Sequence, residues 1–156
     1  MIIDATESDW PLIERMAGAA AIFNEAEEGA LEALWEEYLD LGPEDSGYSF
    51  MVDREGTRVL GFVCYGPRDL VDGVCDLYYL VVDPEARRQA VGRRLLRAAE
   101  AEAGDACARM MIAELSGGPR HELIRALLAG AGYEVEATIK SFFGPGDDLM
   151  VMVKRY

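Results

Sequence analysis

Apolar residues recur along this chain in two rhythms, and the switches between them mark out the elements. Over residues 8–22, Leu12, Ile13, Met16, Ala19 and Ala20 form one stripe at helical spacing, with Ser8 as the cap and Pro11 in the first turn. A second helix is predicted over 25–41, where Ala30, Leu31, Leu34, Trp35, Tyr38 and Leu41 recur among glutamates and Gly42-Pro43 ends the pattern. The rhythm then shortens. Tyr48–Asp53 and Val59–Tyr65 read as a hairpin joined through Arg54-Glu55-Gly56-Thr57, with its turn glycine. The run CDLYYLVV, Cys75–Val82, is almost continuously apolar, which predicts a strand buried on both faces. A helix over 91–103 turns Leu95, Leu96 and Ala99 inward, and Arg109–Leu115 is a strand. A helix over 119–130 follows, then strands Tyr133–Ile139 and Leu149–Lys154 around a Gly-Pro-Gly loop. No repeat is visible. This order predicts an α/β (α+β) fold in one domain over 1–156, a mixed central sheet with helices on both faces.

Composition narrows the function classes. The formal net charge of -14 argues against nucleic acid, whose phosphates call for a basic face. It favours a cationic small molecule, although the acids also serve plain solubility. No apolar run approaches the ~18 residues of a membrane span. The opening MIIDATESDW has no basic region, so no secretory signal is expected and the cytoplasm is the default location. Cys64, Cys75 and Cys107 form neither a CxxC nor a zinc pattern with the lone His121, and they read as buried thiols.

Against that acidic background, Arg87, Arg88, Arg93 and Arg94 follow directly on a strand end at Asp83-Pro84. A strand that runs straight into a helix leaves the first helical N–H groups unpaired, and these attract an anion. Arginines there oppose the helix dipole, a conflict that a bound phosphate removes. Solvated first-turn arginines are the plainer reading. Neither GxxxxGK[ST] nor a GxGxxG after a strand is present.

The segment resembles the acyl-CoA signature of the GNAT superfamily of N-acetyltransferases. That signature is a strand ending in Val-x-Pro, then Arg or Gln-x-x-Gly-x-Gly or Ala opening a helix. Here Val82-Asp83-Pro84 leads to Arg87-Arg88-Gln89-Ala90-Val91-Gly92 and then ArgArgLeuLeu. The helix pair before a hairpin, the strand CDLYYLVV and the ending Gly132-Tyr133…SFFGPGDDLMVMVK come in the superfamily's order, so the resemblance spans nearly the whole chain. It implies the single-domain acyl-CoA N-acyltransferase fold, with acetyl-CoA as co-substrate and its pyrophosphate in the arginine turn. The implied cofactor-binding residues are Leu80, Val81, Val82, Arg87, Arg88, Gln89, Ala90, Val91, Gly92 and Arg93. Ala90 departs from the signature's first glycine. If its backbone has positive φ, alanine costs roughly 1 kcal/mol or more there.

The resemblance also assigns roles. Asp76 is the implied general base, on the strand before the turn and, by simple alternation, on one face with Tyr78, Leu80 and Val82. A solvent-facing strand entry is the other reading of Asp76. Strand splaying would offer the N–H of Val81 or Val82 to a thioester carbonyl. The superfamily's acid is a tyrosine four residues before the glycine that here is Gly132. That position holds Leu128, preceded by Leu127, so the acid is missing and both leucines read as core. Acceptor-side candidates are Trp35, Tyr78, Glu114, Phe142, Phe143 and Asp147, the last three in a loop over residues 142–148 that suits a lid over a cationic amine. His121 reads as a surface or capping residue, and Tyr133 as packed. The function implied is transfer of acetyl from acetyl-CoA to a small-molecule or peptide amine, with a homodimer left open. The alternative is a catalytically degenerate module that keeps the fold and CoA.

Overall fold

In the computed structural model, which describes residues 1–156, seven strands form one sheet in the order β1-β2-β3-β4-β5-β7-β6. These are β1 (Ile2–Asp4), β2 (Ser49–Glu55), β3 (Arg58–Pro67), β4 (Val74–Val82), β5 (Met110–Ser116), β6 (Glu134–Gly144) and β7 (Asp147–Arg155). Only β4 and β5 run parallel, and the remaining neighbours are antiparallel. Strand β1 has no counterpart in the sequence reading, because three residues carry no period. Its register on β2, Ile2 against Asp53, is anchored by the terminal ammonium, which donates to the Arg54 carbonyl at 2.8 Å.

The helices are α1 (Trp10–Ala20), α2 (Glu25–Ser46), α3 (Val91–Asp105) and α4 (Glu122–Gly130). Ser8 is not the cap expected of it: the N-cap of α1 is Asp9, at the end of a 3-10 turn, Glu7–Asp9, that Thr6 caps with its backbone and hydroxyl both donating to Asp9. Helix α1 ends where Ala21 turns left-handed, φ 56°. Asn24 caps α2 by accepting from Glu27 N–H at 2.8 Å. Gly42 breaks α2 as expected (φ 76°, ψ 171°), but a further helical turn resumes through Pro43 to Ser46.

One face of the sheet packs on α1 and α2 through Ile13, Met16, Leu31, Trp35, Phe50 and Phe62. The other packs on α3 and α4 through Leu77, Leu95, Leu96, Ala99, Met111 and Leu128. Leu95 and Leu96 are essentially inaccessible, and each burial contributes about 1.5–3 kcal/mol. Helices thus cover both faces of a mixed sheet. Trp35 is 3 % exposed and stacks on Trp10 at 5.5 Å, edge-on to Phe50 at 5.1 Å. It is a core residue, so its assignment to the acceptor side is corrected. Cys107 is exposed, unlike Cys64 and Cys75, which corrects the expectation of three buried thiols. No helix is long and apolar enough to cross a membrane.

Candidate active site

The centre of the sheet opens because β4 and β5 pair only briefly. Val74–Leu77 face Met110–Ala113, and beyond that point the two strands share no register. Strand β4 also carries an extra residue at the divergence. Cys64 opposes Tyr79 and Tyr65 opposes Leu77, which leaves Tyr78 as a bulge. The bulge resets the alternation. Cys75, Leu77 and Leu80 pack on the α3 side with Val82 against them, whereas Val81 packs on the α1 side. Asp76, between Cys75 and Leu77, faces away from that α3 side, so the common face expected for Asp76, Leu80 and Val82 does not exist.

The same alternation sorts the main-chain donors. Asp83 N–H donates to Leu60 O at 2.9 Å, on the β3 side. Lateral direction reverses at each residue, so Val81 also turns toward β3, while Leu80 and Val82 turn toward the opening. Of the two donors expected, Val82 faces the opening; Leu80 is the second, and Val81 is not one.

The opening is a cleft of about 980 Å³. One face of α4 lines it with His121, Ile124 and Leu128, and the α1–α2 corner adds Phe23, Asn24 and Glu27. Phe142 and Phe143 line its outer end. They belong to β6 and not to a loop: Ile139 opposes Leu149 and Gly144 opposes Asp147, so residues 140–143 bulge out of the ladder. The two rings meet edge to face at 5.0 Å and stay about half exposed.

Beyond Val82 the chain enters the arginine turn. Arg88 (φ 67°) and Ala90 (φ 57°) both lie in the left-handed region, so Ala90 does carry the strained conformation. No backbone N–H from Arg87 to Ala90 finds an acceptor within the protein; the first to do so is Arg94, which reaches Ala90 O at 3.0 Å. The arginines divide in two. Arg94 is structural: it binds Asp53 through Nε and Nη2 at 2.8 and 2.6 Å, and Nη1 holds Gln89 O at 2.6 Å. Arg87, Arg88 and Arg93 are exposed and make no ion pair. A Cβ on Gly92 would stand 2.9 Å from Leu127 Cδ2, so this glycine lets α3 and α4 meet beside the turn.

The model of the Acetyltransferase (GNAT) family matches residues 10–126. The chain belongs to that family. Among solved structures, a GNAT-family protein from Desulfovibrio desulfuricans superposes with a TM-score of 0.94 at 28% identity, over 99% of this chain and 98% of that one. The ribosomal-protein-alanine N-acetyltransferase of Brucella melitensis gives 0.79 at 27% identity, over 100% and 99%. A Salmonella typhimurium protein solved with its cofactor acetyl-CoA gives 0.78 at 21% identity, over 99% and 92%, a likeness of fold. No curated protein sequence matches the chain.

Acetyl-CoA is the co-substrate of GNAT enzymes, and this chain's residues fit it. Unpaired N–H groups, a helix N-terminus and three exposed arginines without an ion pair belong to one turn, the groups a pyrophosphate binds. The acceptor half of the GNAT cleft is less simply furnished. Asp76 does not line it: Arg68 clamps the Asp76 carboxylate through Nε and Nη2, at 3.0 and 2.6 Å, and also reaches Glu114 at 3.4 Å. Glu114, Glu27 and Asp147 do line it, with Asp147 accepting a hydrogen bond from Ser116 Oγ. Tyr78 lines it too, packed edge-on against Tyr48, and burial, then the Asp76 charge, pushes its phenol well up. Burial likewise pushes Tyr79 up to about 12, and its hydroxyl donates to Glu27 O at 2.8 Å. Burial moves His121 the other way, below the ordinary imidazole value. Leu128, where the family's tyrosine would stand, is 0% exposed.

Sequence reasoning missed Phe23, Glu27 and Arg68. The first two sit at a helix corner whose overhang is a tertiary matter. Arg68 follows the hairpin's second strand, and its partner Asp76 comes eight residues later with no periodic relation to it.

Proposed function

We propose that the protein is an N-acetyltransferase that moves an acetyl group from acetyl-CoA to the primary amine of a small cationic acceptor. The observation carrying this reading is the opening between β4 and β5, which joins ladder-free main-chain donors at Leu80 and Val82 to the unpaired turn at Arg87–Ala90. Acetyl-CoA, when bound, supplies an activated thioester. The turn and its three free arginines hold the pyrophosphate, and the Leu80 and Val82 N–H groups donate toward the reacting carbonyl. Glu27, Glu114 and Asp147 around the acceptor half attract an ammonium, and Phe142 and Phe143 cover its aliphatic part. Asp76 holds Arg68 beside Glu114 and so acts as a positioning residue. A cytoplasmic location belongs to this reading, because the acyl donor is an intracellular thioester.

The test is thermal unfolding with and without acetyl-CoA, paired with CoA release over a panel of polyamines, aminoglycosides and alanyl peptides. Acetyl-CoA at a hundredfold excess over Kd should add about 2.7 kcal/mol, or roughly 5–10 °C in Tm. At least one amine should support turnover. A second reading, a CoA-binding module without turnover, is favoured by one observation: the family's acid position is a fully buried leucine. That reading forecasts the thermal shift with no turnover on any amine.

A further inference from the structure

The face of α4 that lines the cleft carries one titratable group, and it stands two turns before Leu128. His121 is partly exposed, and the capping position expected for it is the one it holds. It occupies the N-cap of α4 with no side-chain capping bond, and neither ring nitrogen has a partner within the protein. Its backbone is firmly held. His121 N–H donates to Gly118 O at 3.2 Å, Arg125 Nη1 spans Ser116 O and Gly118 O at 2.9 and 2.6 Å, and Gly118 N–H donates to Ser116 Oγ at 2.9 Å. A pinned loop thus presents a free imidazole to the acceptor half of the cleft.

We propose that His121 is the general base that takes the proton from the acceptor ammonium. This rests on the transferase reading above. Asp76 is held by Arg68 outside the cleft lining, and Glu114 is half exposed and within reach of the same guanidinium; Glu27 and Asp147 do line the cleft, but as carboxylates they serve to attract the ammonium rather than to deprotonate it. A base that must deprotonate an amine near neutral pH works best with a pKa near that pH, and an ordinary carboxylate near ~4 is far weaker than imidazole. The charges facing His121 come from four elements: Glu27 of α2, Asp147 of β7, Arg120 of the turn before α4 and Arg125 of α4. The acids support its protonated form after the transfer, while burial and the arginines keep it neutral before. The step balances. The imidazole takes one ammonium proton, the N–C bond forms as the C–S bond breaks, and the second amine proton passes to solvent. The thiolate takes a proton from solvent, since Leu128 has none to give, and the imidazolium returns its own.

As the only histidine of the chain, His121 gives a single set of imidazole proton resonances. Their pH titration by NMR should show a midpoint below 6.5 that moves when CoA is added. An unshifted midpoint near 6.5, indifferent to CoA, overturns the inference. With an amine that turns over, His121→Gln should lower kcat about a hundredfold or more and remove the ascending limb of the kcat/KM pH profile. Its acetyl-CoA thermal shift should remain, and Asp76→Asn should keep the limb. An active His121→Gln with the wild-type profile overturns the inference alone. A wild type that takes up acetyl-CoA but acetylates no amine overturns it together with the transferase reading.

Discussion

Ala90 stands where the family's signature has glycine, and its backbone is left-handed, φ 57° and ψ 20°. An L-residue pays about 1–2 kcal/mol for that conformation, because Cβ crowds the following carbonyl. Replacing Ala90 by glycine removes this cost and adds back about 0.4–1 kcal/mol of unfolded-state freedom. The methyl is exposed, so little burial is lost. The net expectation is therefore a gain of up to about 1.5 kcal/mol, centred below 1, or roughly 2–3 °C in Tm for a chain of this size. Scanning calorimetry on Ala90→Gly reads it directly. Ala90→Val, β-branched in the same conformation, should move the other way by at least as much. Relief of crowding in the phosphate turn should also tighten acetyl-CoA by about 0.5–1 kcal/mol, a factor of roughly two to five, measured by titration calorimetry. A glycine variant that melts 2 °C below wild type with unchanged helix content would show that the strain argument is wrong. An unaltered affinity would show that the methyl already fits the bound phosphate.

Two further predictions follow from the packing around the turn. Asp53 is 1% exposed and receives both Arg94 and the terminal ammonium, at 2.6 and 3.2 Å. Asp53→Ala should cost about 1–3 kcal/mol, less than a fully buried pair because Arg94 is half exposed and rehydrates; it should also loosen Gln89 and weaken acetyl-CoA binding. An unchanged urea midpoint would refute this. Leu128 is fully buried, so Leu128→Tyr should overpack the α3–α4 core and lower stability by about 1–3 kcal/mol; a rise in kcat of up to tenfold with an unchanged acetyl-CoA KM would show that its hydroxyl reaches the leaving group.

The pattern of apolar residues by itself determined most elements, because each helix or strand of several residues must present one consistent face to a core. It also determined where an anion could sit: the arginine turn is contiguous, so its chemistry is visible in a few consecutive residues. Tertiary structure decided everything that depends on a neighbour. Trp35 and Phe142 are both aromatics that the sequence offers to the acceptor side, yet one is packed among Trp10, Tyr38 and Phe50 and the other lines the cleft. Arg94 looks like its three companions until Asp53, 41 residues away, claims it. The bulge at Tyr78 is a mismatch between two strands, so no reading of CDLYYLVV alone could reveal that Asp76 and Val82 part company. The same holds for the cleft's bases. Asp76 is clamped by Arg68 and stays out of the cleft lining, while His121 lines it, because a side chain's surroundings come from residues far away along the chain.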